Sequence, residues 1–396
     1  MKSLKLLSIA GALSVSPGAV FAADAVLAPE PEPVEYVRVC DAYGAGFFYI
    51  PGTETCLQIS GYVWYQMGAA SSGDPFDTPN YNGFEPDGWN KGVRARVNFD
   101  ARSETEWGTL RSYVRLQADW NGTGSYSGLG SNDGPVGIHQ AWLSLGGFRA
   151  GYSESAWSDT VVGEVGTFGS HSDNAMSFGD QRRAIMQYNF ERNGFFGVLS
   201  LEDDAYGSTP VTDNNEGFMP DVVAVLGYAG GWGGVWGRVG YDESFDGSLY
   251  QVSPGVYTVN SGGFGASLGL QVNVPNMEGS SFRLIGYYAD GDHTYGTLHG
   301  PAADYFGGNG NSEWSILASY GHQFTETFSA SVGYQYFSDF YEGGRDVKTG
   351  LDGHSAELSL VWVPVTNFEV RSEVQYDKIE TLDGTVSGYL RFTRFF

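Results

Sequence analysis

An acidic segment flanked by arginines is the part of this sequence best equipped for chemistry. Residues 153–181 contain no Lys or Arg but five carboxylic acids, which are Glu154, Asp159, Glu164, Asp173 and Asp180. Arginines flank the segment at Arg149, Arg182 and Arg183. Guanidinium groups stay charged and are weakly hydrated, so a row of them opposite carboxylates sets up a field that orders water and dipolar solutes. The pattern predicts an acidic loop that faces an arginine wall.

The rest of the predicted wall lies on an earlier hairpin, 92–102 and 108–120. Its polar face carries Arg94, Arg96, Arg111, Tyr113 and Arg115. A turn at 103–107 would place Arg94 about opposite Arg115, and directly opposed like charges destabilise a sheet. The cluster therefore calls for anions nearby, which the acidic segment can supply. In the alternative interpretation, the arginines only satisfy a polar strand face and the segment is a solvated flap.

Strands of alternating apolar and polar residues must position these side chains. Sixteen segments have this pattern: 57–67, 92–102, 108–120, 137–146, 147–153, 182–192, 195–202, 221–230, 234–244, 263–274, 281–290, 313–323, 327–338, 354–363, 368–378 and 385–396. Two of them fit the alternation poorly, because Ile285 lies on a nominally polar face and 195–202 is nearly apolar throughout.

The lengths of the breaks between strands discriminate between fold classes. Short breaks such as 193–194 alternate with long ones such as 153–181. A soluble sandwich has the same side-chain alternation, but short turns on one rim and long loops on the other are typical of an outer-membrane barrel. We therefore predict an all-β fold, a sixteen-stranded antiparallel transmembrane β-barrel over 57–396.

The N-terminus and the charge balance restrict the location and the partners. Residues 1–22 place two lysines ahead of an apolar stretch, which is typical of a secretory signal peptide. Its removal changes the formal net charge from −25 to −27, because two lysines and no acids are lost. Phosphate recognition needs a basic face, so nucleic acid is excluded as a partner. Beyond the signal there is no apolar run of about 18 residues, so a membrane role would depend on strands.

Other candidate sites are few. Cys40 and Cys56 lie close together in an exported chain, which favours a disulfide in an N-terminal periplasmic segment, 23–56. A pair of metal ligands is the alternative, although no His or third Cys lies nearby. The six histidines show no metal spacing, and no metal or other cofactor is predicted.

One motif could indicate catalysis. Gly265, Ser267 and Gly269 match the G-x-S-x-G nucleophile elbow. That motif requires a strand, a turn and a helix in succession, whereas here it lies inside an alternating strand. We therefore predict no catalytic residues and no enzyme.

Three stretches resemble the alphaproteobacterial porins of the rhizobial and brucella type. They are EYVRVCDAYGAGFFYIPGTETCLQISGYV at 35–63, GFRAGYSESAW at 147–157 and the terminal Phe396. The resemblance extends over essentially the whole mature chain. It implies a trimeric general-diffusion porin of the outer membrane, whose third long loop folds inward to form the constriction. The third long break here is 153–181.

The expected function is a water-filled channel for passive diffusion of small hydrophilic solutes and ions. Outer-membrane lipid and lipopolysaccharide are its expected surroundings, and a homotrimer its expected assembly. The long loops are acidic and would concentrate cations within about 8 Å of the mouth, so a cation preference is predicted. A substrate-specific channel is the alternative, but Tyr113 and Trp236 are too few inward aromatics for a sugar path, and the acidic total opposes an anion path.

Overall fold

The structure is a computed structural model. It describes residues 38–72, 89–121, 135–158, 161–162, 165–166, 169–173, 176, 181–203, 220–243, 249–253, 256–259, 262–297, 301–306, 308–343 and 346–396. All of these except Arg38 belong to one compact unit, Val39–Phe396. None of the helices among these residues is long and apolar enough to cross a membrane. The predicted signal peptide, 1–22, lies outside the described residues.

Sixteen antiparallel strands form a closed barrel. They are β1 Cys56–Ser72, β2 Trp89–Thr105, β3 Gly108–Asn121, β4 Gly137–Leu145, β5 Phe148–Glu154, β6 Arg182–Arg192, β7 Phe195–Asp203, β8 Asp221–Gly230, β9 Gly233–Asp242, β10 Gly263–Asn273, β11 Ser281–Ala289, β12 Ser312–Thr325, β13 Phe328–Phe340, β14 Gly353–Val365, β15 Phe368–Ile379 and β16 Thr385–Phe395. Each pairs with the next, and β16 pairs back onto β1, with Phe395 opposite Tyr62. The predicted fold class is confirmed, and every predicted segment overlaps one of these strands.

Several short elements are not part of the sixteen-stranded wall. They are a 3-10 turn at Asp41–Tyr43, an α-helix at Pro301–Phe306, and short strands at Phe48–Tyr49, Val161–Val162, Val165–Gly166, Leu249–Ser253 and Val256–Val259. Phe48–Tyr49 pairs with the start of β1. Cys40 and Cys56 form the predicted disulfide and are both buried, so the metal alternative is wrong.

The two faces of the wall differ as a membrane barrel requires. Apolar side chains on the outer positions stay uncovered, with Leu268 67% and Leu226 62% exposed. Polar residues at the alternating positions are buried inside the barrel, as Arg238 and Gln271 are. An apolar outer band is what a lipid-facing barrel surface needs, because lipid offers no hydrogen-bond partners.

The hairpin of β2 and β3 has a different register from the one predicted. The strands run to Thr105 and from Gly108, so the turn contains only Glu106 and Trp107. This tight turn moves the pairing by four residues. Arg94 lies opposite Asp119, not Arg115. The expected repulsion between Arg94 and Arg115 is therefore replaced by a pairing of opposite charges.

One part of the inner face is apolar. Buried side chains of β7 to β12 form a cluster with residues of the β5–β6 and β11–β12 connections: Ala156, Trp157, Met176, Phe196, Val223, Val225, Trp236, Ile285, Tyr287, Tyr295 and Leu317. Ile285 is completely buried in it. The apolar residues that broke the sequence alternation thus face inward and are covered by loop residues rather than by water.

Candidate functional site

The inner arginines of β2 and β3 are paired mainly along their own hairpin. Nε of Arg94 lies 2.6 Å from Oδ1 of Asp119. Arg96 donates from Nε and Nη2 to Oε1 of the neutral Gln117, at 2.9 and 2.6 Å. The amide of Gln117 in turn donates to Asp119 Oδ2 at 2.9 Å. These bonds hold both guanidinium groups at defined positions on the wall.

A single carboxylate connects the next two arginines. Asp100 accepts bonds from Nε and Nη2 of Arg102 and from the same atoms of Arg111, at distances of 2.6 to 3.0 Å. Arg102 and Arg111 are direct cross-strand partners, so two like charges lie side by side there. Asp100, only 5% exposed, offsets their repulsion.

Aromatic rings fill the spaces between the guanidinium groups. Arg111 and Arg149 lie over the ring of Trp142, 4.7 and 4.6 Å from its centroid. Tyr113 stacks on the same ring at 5.1 Å. Cation–π contacts of this kind favour fixed guanidinium orientations. The predicted wall residues Arg111, Tyr113 and Arg149 are therefore brought together, with Trp142 as their common neighbour.

The segment after β5 starts at this wall and then turns away from it. Glu154 accepts from Arg115 Nη1 at 3.0 Å and from Gln140 at 2.7 Å. The amide of Ala156 donates to Glu202 Oε1 on β7 at 2.9 Å. Arg238 on β9 then donates to the carbonyl oxygen of Trp157. Within three residues the chain has moved its contacts from β3 to β9.

Later residues of the segment contact strands farther round the barrel. Arg283 on β11 donates to the carbonyl oxygens of Gly169 and Ser170, at 2.7 and 2.9 Å. His171 bonds through its two ring nitrogens to Ser281 on β11 and Ser319 on β12, both at 2.7 Å.

The contacts end at the last strands. Ser172 donates to Glu357 on β14 at 2.6 Å. The amide of Asp173 donates to Glu373 on β15 at 2.7 Å, and its carboxylate pairs with Arg391 on β16. From Ala156 to Asp173 the described contacts therefore run in order round the barrel from β7 to β16, the strand that pairs with β1, and Met176 then lies against Gly333 on β13.

The arrangement shifts the ionisation of two groups in this segment. Burial lowers the pKa of His171 to about 3, and Arg283 adds to the effect, so the imidazole is neutral. Burial opposes ionisation of Asp173, but Arg391 and Arg371 outweigh it and hold the pKa of that carboxyl below its ordinary value. Asp173 is thus a fixed negative charge.

The flanking arginines Arg182 and Arg183 have different neighbours. Arg183 is 8% exposed, in step with the buried Gln187, and its Nη1 lies 3.9 Å from Asp221 Oδ2. Arg182 is half-buried and lies directly opposite Glu154 on β5. Three of the predicted loop carboxylates, Asp159, Glu164 and Asp180, lie outside the described residues.

Several partners of the segment were missed from the sequence. The principal ones are Arg238, Arg283, Glu357, Glu373 and Arg391. Each occupies the polar positions of a strand, so alternation marks it as inward. Nothing local indicates that it binds a segment 80 or more residues away. The arginines of the wall and those that hold the segment are different residues, but Glu154 bonds Arg115 of the wall, and the ring of Trp64 contacts both Arg94 and Arg391.

Catalytic and metal-binding interpretations find no support in the described part of the chain. Ser267 lies within β10, where its hydroxyl accepts from Arg238 at 3.2 Å. The glycines of the apparent elbow have packing roles, since a Cβ on Gly269 would overlap the indole of Trp236. No group of three or more potential metal ligands occurs among the described residues.

Comparison with known proteins identifies the family. Residues 24–389 match the family described as the Porin subfamily. The chain is 34% identical to the porin Omp2b of Brucella suis, with 100% of both chains covered. It is 44% identical to the porin Omp2a of Brucella ovis over 61% of this chain and 70% of the relative.

Solved structures agree on the fold. The outer membrane channel DcaP of Acinetobacter baumannii superposes with a TM-score of 0.60 at 15% identity, covering 88% of this chain and 99% of that one. OprB of Pseudomonas putida gives a TM-score of 0.54 at 10% identity, covering 86% and 94%. The chain therefore belongs to the Porin subfamily, a family of channel proteins rather than enzymes, and is a channel of the bacterial outer membrane.

Proposed function

We propose that the chain forms a water-filled channel for passive diffusion of small hydrophilic solutes and ions, narrowed where the segment 153–181 faces the arginines of β2 and β3. One observation carries the proposal. From Ala156 to Asp173 the described residues of the segment contact β7 to β16 in order, from Glu202 to Arg391, whereas Glu154 bonds Arg115 on β3. Solutes would then pass between the segment and the arginine wall.

The proposed gap has opposite charges on its two sides. On the wall, Arg94, Arg96, Arg102, Arg111 and Arg115 outnumber their carboxylate partners Asp100, Asp119 and Glu154. Arg96 has only the neutral Gln117 as its hydrogen-bond partner on the hairpin. Across the gap, Asp173 is ionised but pairs with Arg391, so the net negative charge on that side is proposed to come from Asp159, Glu164 and Asp180. Such a field favours dipolar, hydrated solutes over apolar ones.

The channel is proposed to prefer cations. Most of the formal charge of −27 without the signal sequence lies in the long connections of the sequence, which we propose to share one rim, where it would attract cations within about 8 Å of the surface. The wall arginines act locally at the gap, where Asp100, Asp119 and Glu154 neutralise part of their charge. The acidic rim should therefore decide small-ion selectivity.

The assembly and the surroundings complete the proposal. We expect residues 1–22 to be removed on export, residues 23–56 to form a periplasmic segment that includes the disulfide, and the barrel to form homotrimers. The apolar outer face fits membrane lipid, and the acidic loops fit lipopolysaccharide bridged by divalent cations.

Single-channel recording in a planar bilayer under a KCl gradient tests the proposal. Conductance in triplets, a cation-selective reversal potential and no saturation by sugars are expected. Arg96→Gln should increase the cation preference, whereas Arg394→Gln should have little effect, because it removes the same charge at a position paired with the outward Val63. A reversal potential that favours chloride would overturn the predicted selectivity.

The same recording separates a substrate-specific channel from a diffusion channel. More aromatic rings face inward than the sequence suggested, including Tyr62, Trp64 and Trp142. The guanidinium groups of Arg94 and Arg391 both lie over the ring of Trp64, 5.3 and 5.1 Å from its centroid, and so compete with a sugar for that ring. A small conductance that one particular solute blocks would favour the specific channel.

A further inference from the structure

The connection between β11 and β12 enters the barrel and contacts the start of the segment 153–181. Tyr295 in this connection is fully buried, and its ring meets that of Trp157 edge to face, with centroids 5.8 Å apart. Nε1 of Trp157 donates to the carbonyl oxygen of Gly296 at 3.1 Å. Gln181, at the other end of the segment, donates to the carbonyl oxygen of Thr294 at 3.3 Å. Residues 294–296 thus contact both ends of the segment.

The inner wall contains a seat for Tyr295. Gly240 on β9 and Gly265 on β10 are cross-strand partners at inner positions. A Cβ on Gly240 would lie 2.5 Å from Cγ of Tyr295, and one on Gly265 would overlap its carbonyl oxygen. Real Cβ atoms do not approach so closely, so any larger residue at either position would displace Tyr295. The two glycines therefore create a notch that the tyrosine fills.

Polar contacts fix Tyr295 in this notch. Its hydroxyl donates to Oδ2 of Asp221 on β8 at 2.8 Å, and the amide of Thr294 donates to Oδ2 of Asp242 on β9 at 2.9 Å. Burial, together with Glu202 and Asp221, raises the pKa of Tyr295 well above its ordinary value, so the hydroxyl keeps its proton. A buried donor facing a carboxylate is a strong anchor.

The base of this connection is also ordered by side chains. Asp292 accepts from the amides of Asn309 and Asn311, both at 2.9 Å. Asn311 in turn donates to the carbonyl oxygen of His293 at 2.5 Å. These bonds tie the start of the connection to its end, just before β12. Tyr295 is therefore presented by a braced loop rather than by a free one.

From this geometry we infer that Tyr295 is a positioning residue for the constriction: seated on Gly240 and Gly265, it clamps Trp157 and so holds the start of the segment 153–181 against the β7–β9 wall. The inference rests on the proposed role of that segment as the constriction. It adds a second loop and a specific anchor to that role. Loss of the clamp frees the segment to move into the passage without unfolding the barrel.

Hydrogen exchange followed by mass spectrometry tests the clamp directly, on the whole refolded protein in detergent. In Tyr295→Leu, the amides of 155–158 should exchange about tenfold faster or more, because loss of the ring and hydroxyl contacts favours local opening. Tyr295→Phe keeps the ring and should fall between Leu and the native protein. Exchange in β2 and β3 should be unchanged, which shows that the barrel is intact.

Two glycine variants provide a matched pair. Gly265→Ala should reproduce the Tyr295→Leu result, since the new methyl group displaces Tyr295. Gly237→Ala is the control on the neighbouring strand, because the nearest atom to its added Cβ is the carbonyl oxygen of Ser267 at 3.9 Å. Unchanged exchange at 155–158 in Tyr295→Leu would overturn the inference.

Channel recordings of the same variants test the proposed constriction separately. Frequent brief closures or a changed conductance in Tyr295→Leu, restored largely in Tyr295→Phe, would support both the clamp and the constriction. Faster exchange with unchanged conductance and unchanged closures would confirm the clamp, but it would refute the proposal that the segment narrows the passage.

Discussion

Replacing Asp100 by Asn should destabilise the barrel and alter its ion selectivity together. Asp100 is the only carboxylate that bonds both Arg102 and Arg111 in the described structure, with four hydrogen bonds to the two guanidinium groups. Asparagine retains one acceptor oxygen and no charge. The change therefore leaves two directly paired arginines facing each other.

The size of the effect follows from the exposure of the three side chains. Removing one partner from a fully buried ion pair costs about 3–5 kcal/mol. The Arg102 and Arg111 side chains retain 25% and 31% exposure, so water offsets part of this loss. We expect a loss of about 2 kcal/mol in the free energy of unfolding, near the cost of losing one charge-assisted hydrogen bond.

Unfolding in urea, followed in detergent by tryptophan fluorescence, measures this loss, and a KCl gradient measures the selectivity. Asp100→Asn should shift the reversal potential toward chloride, because the wall gains one positive charge. The double variant Asp100→Asn with Arg102→Gln is the control, since it restores the net charge and removes the like-charge pair. Equal stabilities of the native and single-variant proteins would refute the view that Asp100 offsets this repulsion.

Three further predictions concern other parts of the fold. His171 has a pKa of about 3 in the folded protein against 6.5 in an open chain, so its stabilising effect is complete above about pH 6.5 and is lost as the pH falls toward 3. The protection of the amides at 169–173, measured as the exchange rate relative to that of the unstructured chain at the same pH, should therefore fall across this window, whereas equal protection at pH 7 and pH 4 would contradict the neutral imidazole. Gly269→Ala should destabilise the barrel by roughly 1–3 kcal/mol, because the new methyl group overlaps the buried Trp236 ring. Urea unfolding measures this loss, and an unchanged free energy of unfolding would mean that the indole moves aside without cost. Reducing the Cys40–Cys56 disulfide, which spans 16 residues, should destabilise the N-terminal segment by about 3 kcal/mol and leave β2 to β16 folded. The segment should then be cleaved faster by protease, and an unchanged cleavage rate would mean that packing alone holds it.

The strands were predictable because their signal is local. Period-two alternation decides which residues face lipid, and each strand of about ten residues carries enough of it to be recognised. The register of the β2–β3 hairpin was not predictable, because it depends on whether 103–107 form a five-residue turn or only Glu106 and Trp107 do. A shift of four residues preserves the inward face, so alternation cannot detect it. For this reason the inward arginines were identified correctly while their partners were not.

The path of the segment 153–181 inside the barrel could not be predicted from local sequence patterns, although the sequence contained one indication of it. Ile285 and the apolar residues of β7 break the alternation at inward positions, where a water-filled lumen would require polar side chains. Their explanation is the apolar cluster with Trp157 and Met176. An inward apolar residue in a barrel strand is therefore a marker of a lumen surface that a loop covers.

The inner face of this barrel thus has two different surfaces, one largely apolar and one rich in arginine. The β7–β12 side offers apolar side chains and a glycine notch, and burial of residues such as Trp157 there stabilises the loop by about 1.5–3 kcal/mol each. The β2–β3 side offers arginines whose hydrogen-bond needs are largely met by Asp100, Asp119 and Gln117 on the same hairpin. The loop therefore gains contacts on the β7–β12 side, whereas on the β2–β3 side most arginines already have partners on their own hairpin. For this reason the loop lies against the β7–β12 side. The apolar cluster of β7 to β12 therefore acts together with the polar partners of Ser172 and Asp173 on β14 to β16 to hold the loop on that side.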